Sequence, residues 1–375
     1  MSLEEIDAKL PSPHSHLSQT VAIAGNNDGD LVRSTCLLGG CRAPYTSSML
    51  TAAGIDENGS KVAQYTCTDI SDSNLVLSPG NEGYDIEENT PMPRPRYRHS
   101  SVTANGKIWI IGGRDEKDDI VNEIDIYDEI HDQWFTIEGG LDTIKLPDEV
   151  DNKYGVSDHC AFAFGENIFI VGGFDQSYRS VGHMIAIEAI KSIEQNRIVY
   201  AIRSSMNVPR GACGVTTIGD YAMVAGGFTS EDGYCEAMKS TEIYDVKKDS
   251  WVLSKAPLKY GRARPSLVYL DSQVFAFGGE KRGLFDSTSG HCEADLSLGK
   301  RKANRIENNK TLPNRLSYPI ESAEVMTIEE DMYSSRWRVL QVRSCVMELG
   351  TVVRAMLSLH QSVSLFSLSF VNAIF

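Results

Sequence analysis

Two histidines occupy matching places in the chain, His99 in "YRHSS" and His159 in "SDHCA". Neutral imidazoles placed as a pair can share a metal or another ligand. The plainer reading, which we prefer, makes them turn residues whose ring nitrogens tie neighbouring backbone. Arginine recurs too, at Arg98, Arg210 and Arg262, each just ahead of a strand-like run. Converging guanidiniums can grip an acidic peptide through bidentate hydrogen bonds, or pair with acids of an adjacent unit and hold the fold together. A third candidate is "KIWIIGGRDEKDD" (107–119), an apolar run that ends in two glycines and then turns to charge. As a dinucleotide loop it fails, because GxGxxG must open a helix and here no third glycine follows. "GKRKANR" (299–305) lacks the upstream glycine of a P-loop and reads as a solvated loop, or as an acid-binding or nuclear-import patch. No Ser/His/Asp order, HExxH or paired catalytic carboxylate stands out.

The glycine doublet recurs. "KIWIIGG" (107–113) is echoed by "NIFIVGG" (167–173), "YAMVAGG" (221–227) and "QVFAFGG" (273–279), with first glycines at 112, 172, 226 and 278, so the steps are 60, 54 and 52. A period of about 50 residues belongs to propeller blades rather than helical solenoids. Ahead of each doublet lies another run and a short polar turn such as Asn105-Gly106 or Gly165-Glu166, the pattern of a hairpin. Behind it, "EIDIYDEIHDQW" puts Tyr127 seven residues before Trp134, and "TEIYDVKKDSW" puts Tyr244 seven before Trp251. Each unit therefore offers four strands. Glycine closes the second because a strand near a crowded axis must turn at positive φ with another backbone close by. The aromatic pair packs between neighbouring sheets, since one blade cannot bury its face alone.

These doublets and Tyr-x6-Trp pairs resemble the kelch-repeat β-propeller family over roughly residues 94–340. The resemblance implies an all-β kelch-type propeller of about five recognisable four-stranded blades plus a partial sixth. Residues 1–13 form a polar N-terminal segment, 14–345 the propeller with a polar insertion at about 281–320, and 346–375 an atypical apolar, serine-rich tail. The first unit is worn, ending at Gly39-Gly40, with its third strand expected around Tyr65. The third unit offers only Ile187 and Tyr200 for the aromatic pair, and the fifth has Met326 with Trp337. "VRSCVMELGTVV" (342–353) reads as the start of another blade.

Propellers of this kind commonly bind partners through loops at one face: those after each doublet and those leading into each blade. Mapped onto this chain, the partner-binding residues are Arg98, Asp115, Phe174, Arg210, Phe228, Arg262, Arg264 and Arg282. Phe174 and Phe228 are either exposed anchors or tucked beneath their loops. The expected function is a protein-interaction scaffold whose partner is a protein or peptide, possibly acidic. The alternative is a propeller enzyme acting on a sugar or using a metal, galactose-oxidase-like or sialic-acid-epimerase-like. Iron-dependent specifier proteins of plants use Glu-x3-Asp-x3-His, and Glu123-x3-Tyr127-x3-His131 departs from it where a tyrosine replaces the carboxylate. No catalytic residue, metal or cofactor is assigned.

The chain has 375 residues, with 51 Asp and Glu against 36 Lys and Arg for a net charge of −15. That balance argues against nonspecific binding to nucleic acid or an anionic membrane, which needs clustered positive charge. "MSLEEIDAKLPSPHSH" has no apolar core of a secretory signal, so the expected location is cytoplasmic, with the nucleus possible. The eight cysteines form no CxxC and read as reduced, small hydrophobes.

Overall fold

The computed structural model describes residues 17–25, 31–41, 53–55, 61–63, 69–80, 83–146, 154–230, 237–285, 292–293, 315–319, 323–328 and 336–340. Five four-stranded antiparallel sheets follow one another along the chain. Blade one comprises Ser18–Gly25, Leu31–Leu38, Asn74–Gly80 and Gly83–Glu88. Blade two comprises Ser100–Ala104, Lys107–Ile111, Ile124–Asp128 and Gln133–Ile137. Blade three comprises Cys160–Phe164, Asn167–Val171, Met184–Glu188 and Tyr200–Arg203. Blade four comprises Gly214–Ile218, Tyr221–Ala225, Thr241–Asp245 and Ser250–Leu253. Blade five comprises Ser266–Leu270, Gln273–Phe277, Ala323–Thr327 and Trp337–Leu340.

Local chemistry sets these hairpins. Asn105 and Gly106 both take positive φ, 50° and 68°, the pair of left-handed residues that a type I′ turn requires. Blade two's first strands pair across that turn in the register Ala104↔Lys107. The first strands of successive blades lie side by side, and Val21 of blade one packs against Val268, Leu270 and Phe275 of blade five, so the sheets close into a ring.

Blades bury their faces on one another. Tyr127 sits opposite Trp134 across its sheet with ring centroids 4.7 Å apart, and both pack against Cys36, Leu38 and Val76 of blade one. Tyr244 and Trp251, 5.0 Å apart, pack on Phe162, Phe169 and Val171 of blade three. The polar ends of these rings are satisfied. Each tyrosine hydroxyl donates to the aspartate of the following turn, Asp132 at 2.6 Å and Asp249 at 2.7 Å. Each indole N–H donates to the preceding blade's exit, Thr90 O at 2.9 Å and Ser204 O at 2.8 Å. Blade three puts Ile187 opposite Tyr200 in the same places, and Tyr200 Oη accepts the Lys145 N–H at 2.9 Å. A helix, Ala189–Gln195, inserts between its last two strands and is the one α-helix among the described residues.

Several expectations need correction. Blade one's third strand is Asn74–Gly80, not a run around Tyr65; Lys61–Ala63 pairs instead with Ala53–Ile55 in a separate hairpin. Leu75, Val76 and Leu77 supply the buried apolar run that closes on Leu31–Leu38, which is why that segment takes the place. The insertion of blade five carries a three-stranded sheet of Glu280–Phe285, Cys292–Glu293 and Arg315–Pro319. Cys36, Cys160 and Cys213 have free thiols, whereas Cys41 is disulfide-bonded. The partial sixth blade at 342–353, the tail at 346–375, the segment 1–13 and the basic run 299–305 lie outside the described residues.

The glycine doublets hold the ring together. The N–H of the second glycine donates to the carbonyl of a residue four positions ahead of the next blade: Gly40 to Arg96 (2.9 Å), Gly113 to Val156 (3.0 Å), Gly173 to Arg210 (2.8 Å) and Gly227 to Arg262 (2.7 Å). The backbones come so close that a Cβ on Gly112 would stand 2.3 Å from Val156 O and 2.8 Å from His159 Cε1, at a φ of 61°. Gly112→Ala should therefore cost more than about 3 kcal/mol in urea unfolding, combining strain with a backbone clash. Gly106→Ala, at φ 68° but with nothing within 4 Å, should cost about 1 kcal/mol.

Candidate functional site

The links that lead into blades two to five carry the site. Four residues ahead of the first strand, blades two, four and five place Arg96, Arg210 and Arg262, all fully buried. Each guanidinium turns into its own blade. Arg210 Nη1 donates to Gly226 O (3.1 Å) and Ser240 O (3.0 Å), and Nη2 to Glu242 (2.8 Å). Arg262 bonds Gly278 O (2.8 Å) and Glu324 (3.1 Å), and Arg96 bonds Gly112 O (3.2 Å) and Asp125. The acids are themselves capped by the link backbone, Glu242 by the N–H groups of Asn207 and Val208, Glu324 by those of Lys259 and Tyr260. Burial lowers Arg96 to about 10 against the opposing pull of Asp125, and it lowers Arg262 as well; both stay charged at neutral pH. In blade three the same two slots hold Val156 and Ile185, both buried in one apolar cluster. The ion pair is exchanged there as a unit for a hydrophobic contact.

Two residues further on, Arg98, Asp158, Ala212 and Arg264 all adopt positive φ, between 50° and 57°. Their backbones hand hydrogen bonds from blade to blade: Asp158 N to Arg98 O (2.8 Å), Ala212 N to Asp158 O (2.7 Å) and Arg264 N to Ala212 O (2.6 Å). The next slot holds His99, His159, Cys213 and Pro265, which wedge against the glycine doublets; His159, for example, lies against Gly112 and Gly173.

These residues surround an axial cavity of about 90 Å³ to which all five blades contribute, among them Ser18, Ser100, Cys160, Cys213 and Pro265. At its mouth Asp158 pairs with Arg98 (3.5 Å) and Arg264 (3.1 Å). Burial alone would raise Asp158, but Arg264 and Arg98 outweigh it and keep the carboxyl below its ordinary value. His99 and His159 line the walls as neutral rings: burial takes His159 from 6.5 to about 4 against the pull of Asp158, and burial with Arg96 and His159 nearby takes His99 well below its ordinary value. The His159 nitrogens have no hydrogen-bond partner among the described residues, so that ring does not tie backbone in the way the sequence suggested, whereas His99 is turned toward the backbone of Leu38 and Arg96. Among the described residues, no three His, Cys, Asp or Glu side chains are grouped so as to hold a metal ion.

The loops after the doublets meet the leading links on one face. Backbone bridges join Tyr97 to Arg114, Ser157 to Phe174 and Gly211 to Phe228. Blades two and three build this loop identically: Asp115 Oδ1 accepts the N–H groups of Lys117 and Asp119, both at 2.9 Å, and Asp175 Oδ1 those of Ser177 (2.9 Å) and Arg179 (2.8 Å). Arg114 links the two, donating to Asp118 O (2.6 Å) and Asp175 O (2.7 Å) with its guanidinium 3.7 Å from the centre of the Tyr178 ring. The Tyr97 and Tyr178 hydroxyls both donate to Asp118 Oδ1 at 2.6 Å.

Of the residues singled out from the sequence, Arg98 and Arg264 stand together at the cavity mouth and Asp115 organises an adjacent loop. Arg210 and Arg262 lie beneath, buried in ion pairs with acids of their own blades rather than of neighbours. The repeat partner of these two is Arg96, not Arg98; "RPRYRHSS" offers three arginines at alternate positions, and only counting back from the strand separates them. Phe174 and Phe228 are buried under their loops with Tyr178, Ala212 and Ala263. Arg282 falls in the strand Glu280–Phe285, paired with Ser317, rather than in a loop. Sequence reasoning missed the acid partners, whose signal was present: Asp125, Glu242 and Glu324 each sit two residues ahead of the blade's Tyr127, Tyr244 or Met326.

A ring of four-stranded sheets closed around an axis, with glycine doublets at its inner turns, defines a β-propeller. The KLHDC2/KLHL20/DRC7 Kelch-repeats domain matches residues 43–279, more than half of the chain, and the chain belongs to this kelch-repeat family. Alpha-scruin of Limulus polyphemus is 24% identical over 178 residues, covering 45% of this chain and 18% of that protein. Kelch-like protein 40 of Mus musculus is 24% identical over 191 residues (50% and 27%), and Kelch domain-containing protein 3 of Homo sapiens 22% over 202 residues (50% and 48%). The chain thus spans less than half the length of each of these relatives. The solved structure of YjhT superimposes with a TM-score of 0.56 at 11% identity, covering 90% of this chain and 86% of that one, a likeness of fold.

Two outcomes follow from the buried charges and rings. Glu242→Leu alone should cost about 3–5 kcal/mol, since it strands the Arg210 charge, whereas Arg210→Met with Glu242→Leu should recover at least half of that loss in urea unfolding, as Val156 and Ile185 do naturally. His159 binds its proton more weakly folded than unfolded. Its stabilising effect is intact above pH 6.5 and is lost as pH falls toward 4, by roughly 3 kcal/mol in full. The unfolding free energy of His159→Gln should drop by about 2 kcal/mol less than that of the wild type between pH 7 and pH 4.5.

Proposed function

We propose that this propeller is a protein-interaction scaffold whose partner docks on the face made by the leading links and the loops after the doublets. The observation that carries the reading is the convergence of those two sets of segments, held rigid by the backbone bridges and the Arg114 contacts. Rigid loops on a fixed frame lose little entropy on binding, which favours a defined surface over an adaptable one. Arg98 and Arg264 supply the charge at the centre, with Asp115 shaping the loop beside them. Guanidiniums lining the axial cavity, on a chain of net charge −15, favour an acidic side chain of the partner at the axis. Arg210, Arg262, Phe174 and Phe228 act from below by positioning the links and loops.

Proximity labelling with the full chain tests this. Lys117→Glu with Arg179→Glu reverses two exposed loop charges, and Arg98→Gln with Arg264→Gln removes both guanidiniums while Asp158 remains. Thermal melts show which variants remain folded. Each folded face variant should reduce recovery of the partner at least tenfold, while Val252→Ser with Leu253→Ser, on the exposed outer strand of blade four, should leave it unchanged. An unchanged partner set in both face variants would sink the proposal.

A further inference from the structure

Blades three and four bring two free thiols together where their first strands begin. Cys160 opens one strand and Cys213 immediately precedes the other, 53 positions apart in sequence. Their sulfurs are 2.8 Å apart, within about 1 Å of a disulfide bond length, and Cys160 Sγ also lies 3.1 Å from Cys213 O. Both line the axial cavity, so a reagent of a few atoms can reach the pair. Cys160 is buried and Cys213 partly exposed. We propose that Cys160 and Cys213 form a redox-active dithiol, which a peroxide oxidises to a disulfide that clasps blades three and four at the axis. The pair lies in the cavity whose lining includes Arg98 and Arg264, but its chemistry does not rest on the proposed partner surface.

The chemistry balances. The Cys213 thiolate attacks one peroxide oxygen, the O–O bond breaks, and hydroxide leaves to become water, giving a sulfenic acid. Cys160 then attacks that sulfur. The S–S bond forms, the S–O bond breaks, and a second water departs with the Cys160 proton. Two thiols lose two electrons in all, and one peroxide is reduced. Cys213 acts first because burial pushes the Cys160 thiol well above its ordinary value and keeps it protonated. The resulting link adds a covalent joint beside the hydrogen bond from Ala212 N to Asp158 O (2.7 Å).

The test treats the purified full chain with stoichiometric hydrogen peroxide, blocks remaining thiols with N-ethylmaleimide in denaturant, and digests without reduction. Trypsin and chymotrypsin together separate Cys213 from Cys235, and mass spectrometry identifies linked peptides. The expected result is a Cys160–Cys213 pair that is absent in Cys160→Ser and Cys213→Ser and retained in Cys36→Ser. In Cys213→Ser, Cys160 should be recovered as its maleimide adduct, protected by burial. The oxidised wild type should melt at least about 5 °C above the identically treated double serine variant. Recovery of both cysteines as separate adducts or separate sulfinic acids, or linkage to other cysteines instead, would overturn the proposal. A linked species with no rise in melting temperature would overturn the clasp.

Discussion

The ring rests on one main-chain hydrogen bond made at each of the four junctions from blade one to blade five, from the second glycine of a doublet to the carbonyl that stands four residues ahead of the next blade. Its geometry explains features that look unrelated. The donor must turn at positive φ, and the neighbouring carbonyl comes within 2.7 Å of where a Cβ would be on Gly39, and nearer on Gly112, Gly172 and Gly226. The acceptor residue serves two blades at once. Its carbonyl belongs to the blade before it, and in three cases its arginine side chain reaches into the blade after it. Blade three separates the two roles: Val156 keeps the carbonyl contact while its side chain joins an apolar cluster.

Burying three arginines is costly unless each is fully met. Here each guanidinium finds a doublet carbonyl as well as a carboxylate; Glu242 and Glu324 find link N–H groups, and Asp125 finds the Thr136 hydroxyl and a second guanidinium, that of Arg94. The Arg210–Glu242 and Arg262–Glu324 pairs are fully buried, and the Arg96–Asp125 pair also takes in Arg94 at the surface. The arginines that line the axial cavity are a different pair, Arg98 and Arg264, which share one aspartate. Framework arginines and cavity-lining arginines thus occupy positions only two residues apart.

Much of the architecture was legible. The doublet spacing, the Asn-Gly turn and the seven-residue step from Tyr to Trp are short-range signals, and each reports a contact made within one blade or with its neighbour. Less was legible of the site. Whether Phe174 points outward depends on the floor beneath its loop, which Tyr178, Ala212 and Ala263 supply from two other blades as well as its own. Arg98 and Arg96 are chemically identical in the sequence, and a two-residue shift in phase sends one to the axis and the other into a blade. Blade one's third strand was misplaced because "KVAQYTC" has as good a strand pattern as "NLVLSPG"; only pairing with Leu31–Leu38 distinguishes them. Long-range closeness such as that of Cys160 and Cys213 leaves no local trace at all.

The left-handed slot shared by Arg98, Asp158, Ala212 and Arg264 has a further consequence. Because main-chain atoms alone join these four positions from blade to blade, their side chains are free to differ, and the four present already span cation, anion and methyl. The freedom is bounded by backbone sterics, for a branched Cβ is penalised at such angles. Members of this architecture can therefore diversify the hub of the ring with unbranched or small residues, while valine, isoleucine and threonine are excluded from the alphabet in which its specificity is written.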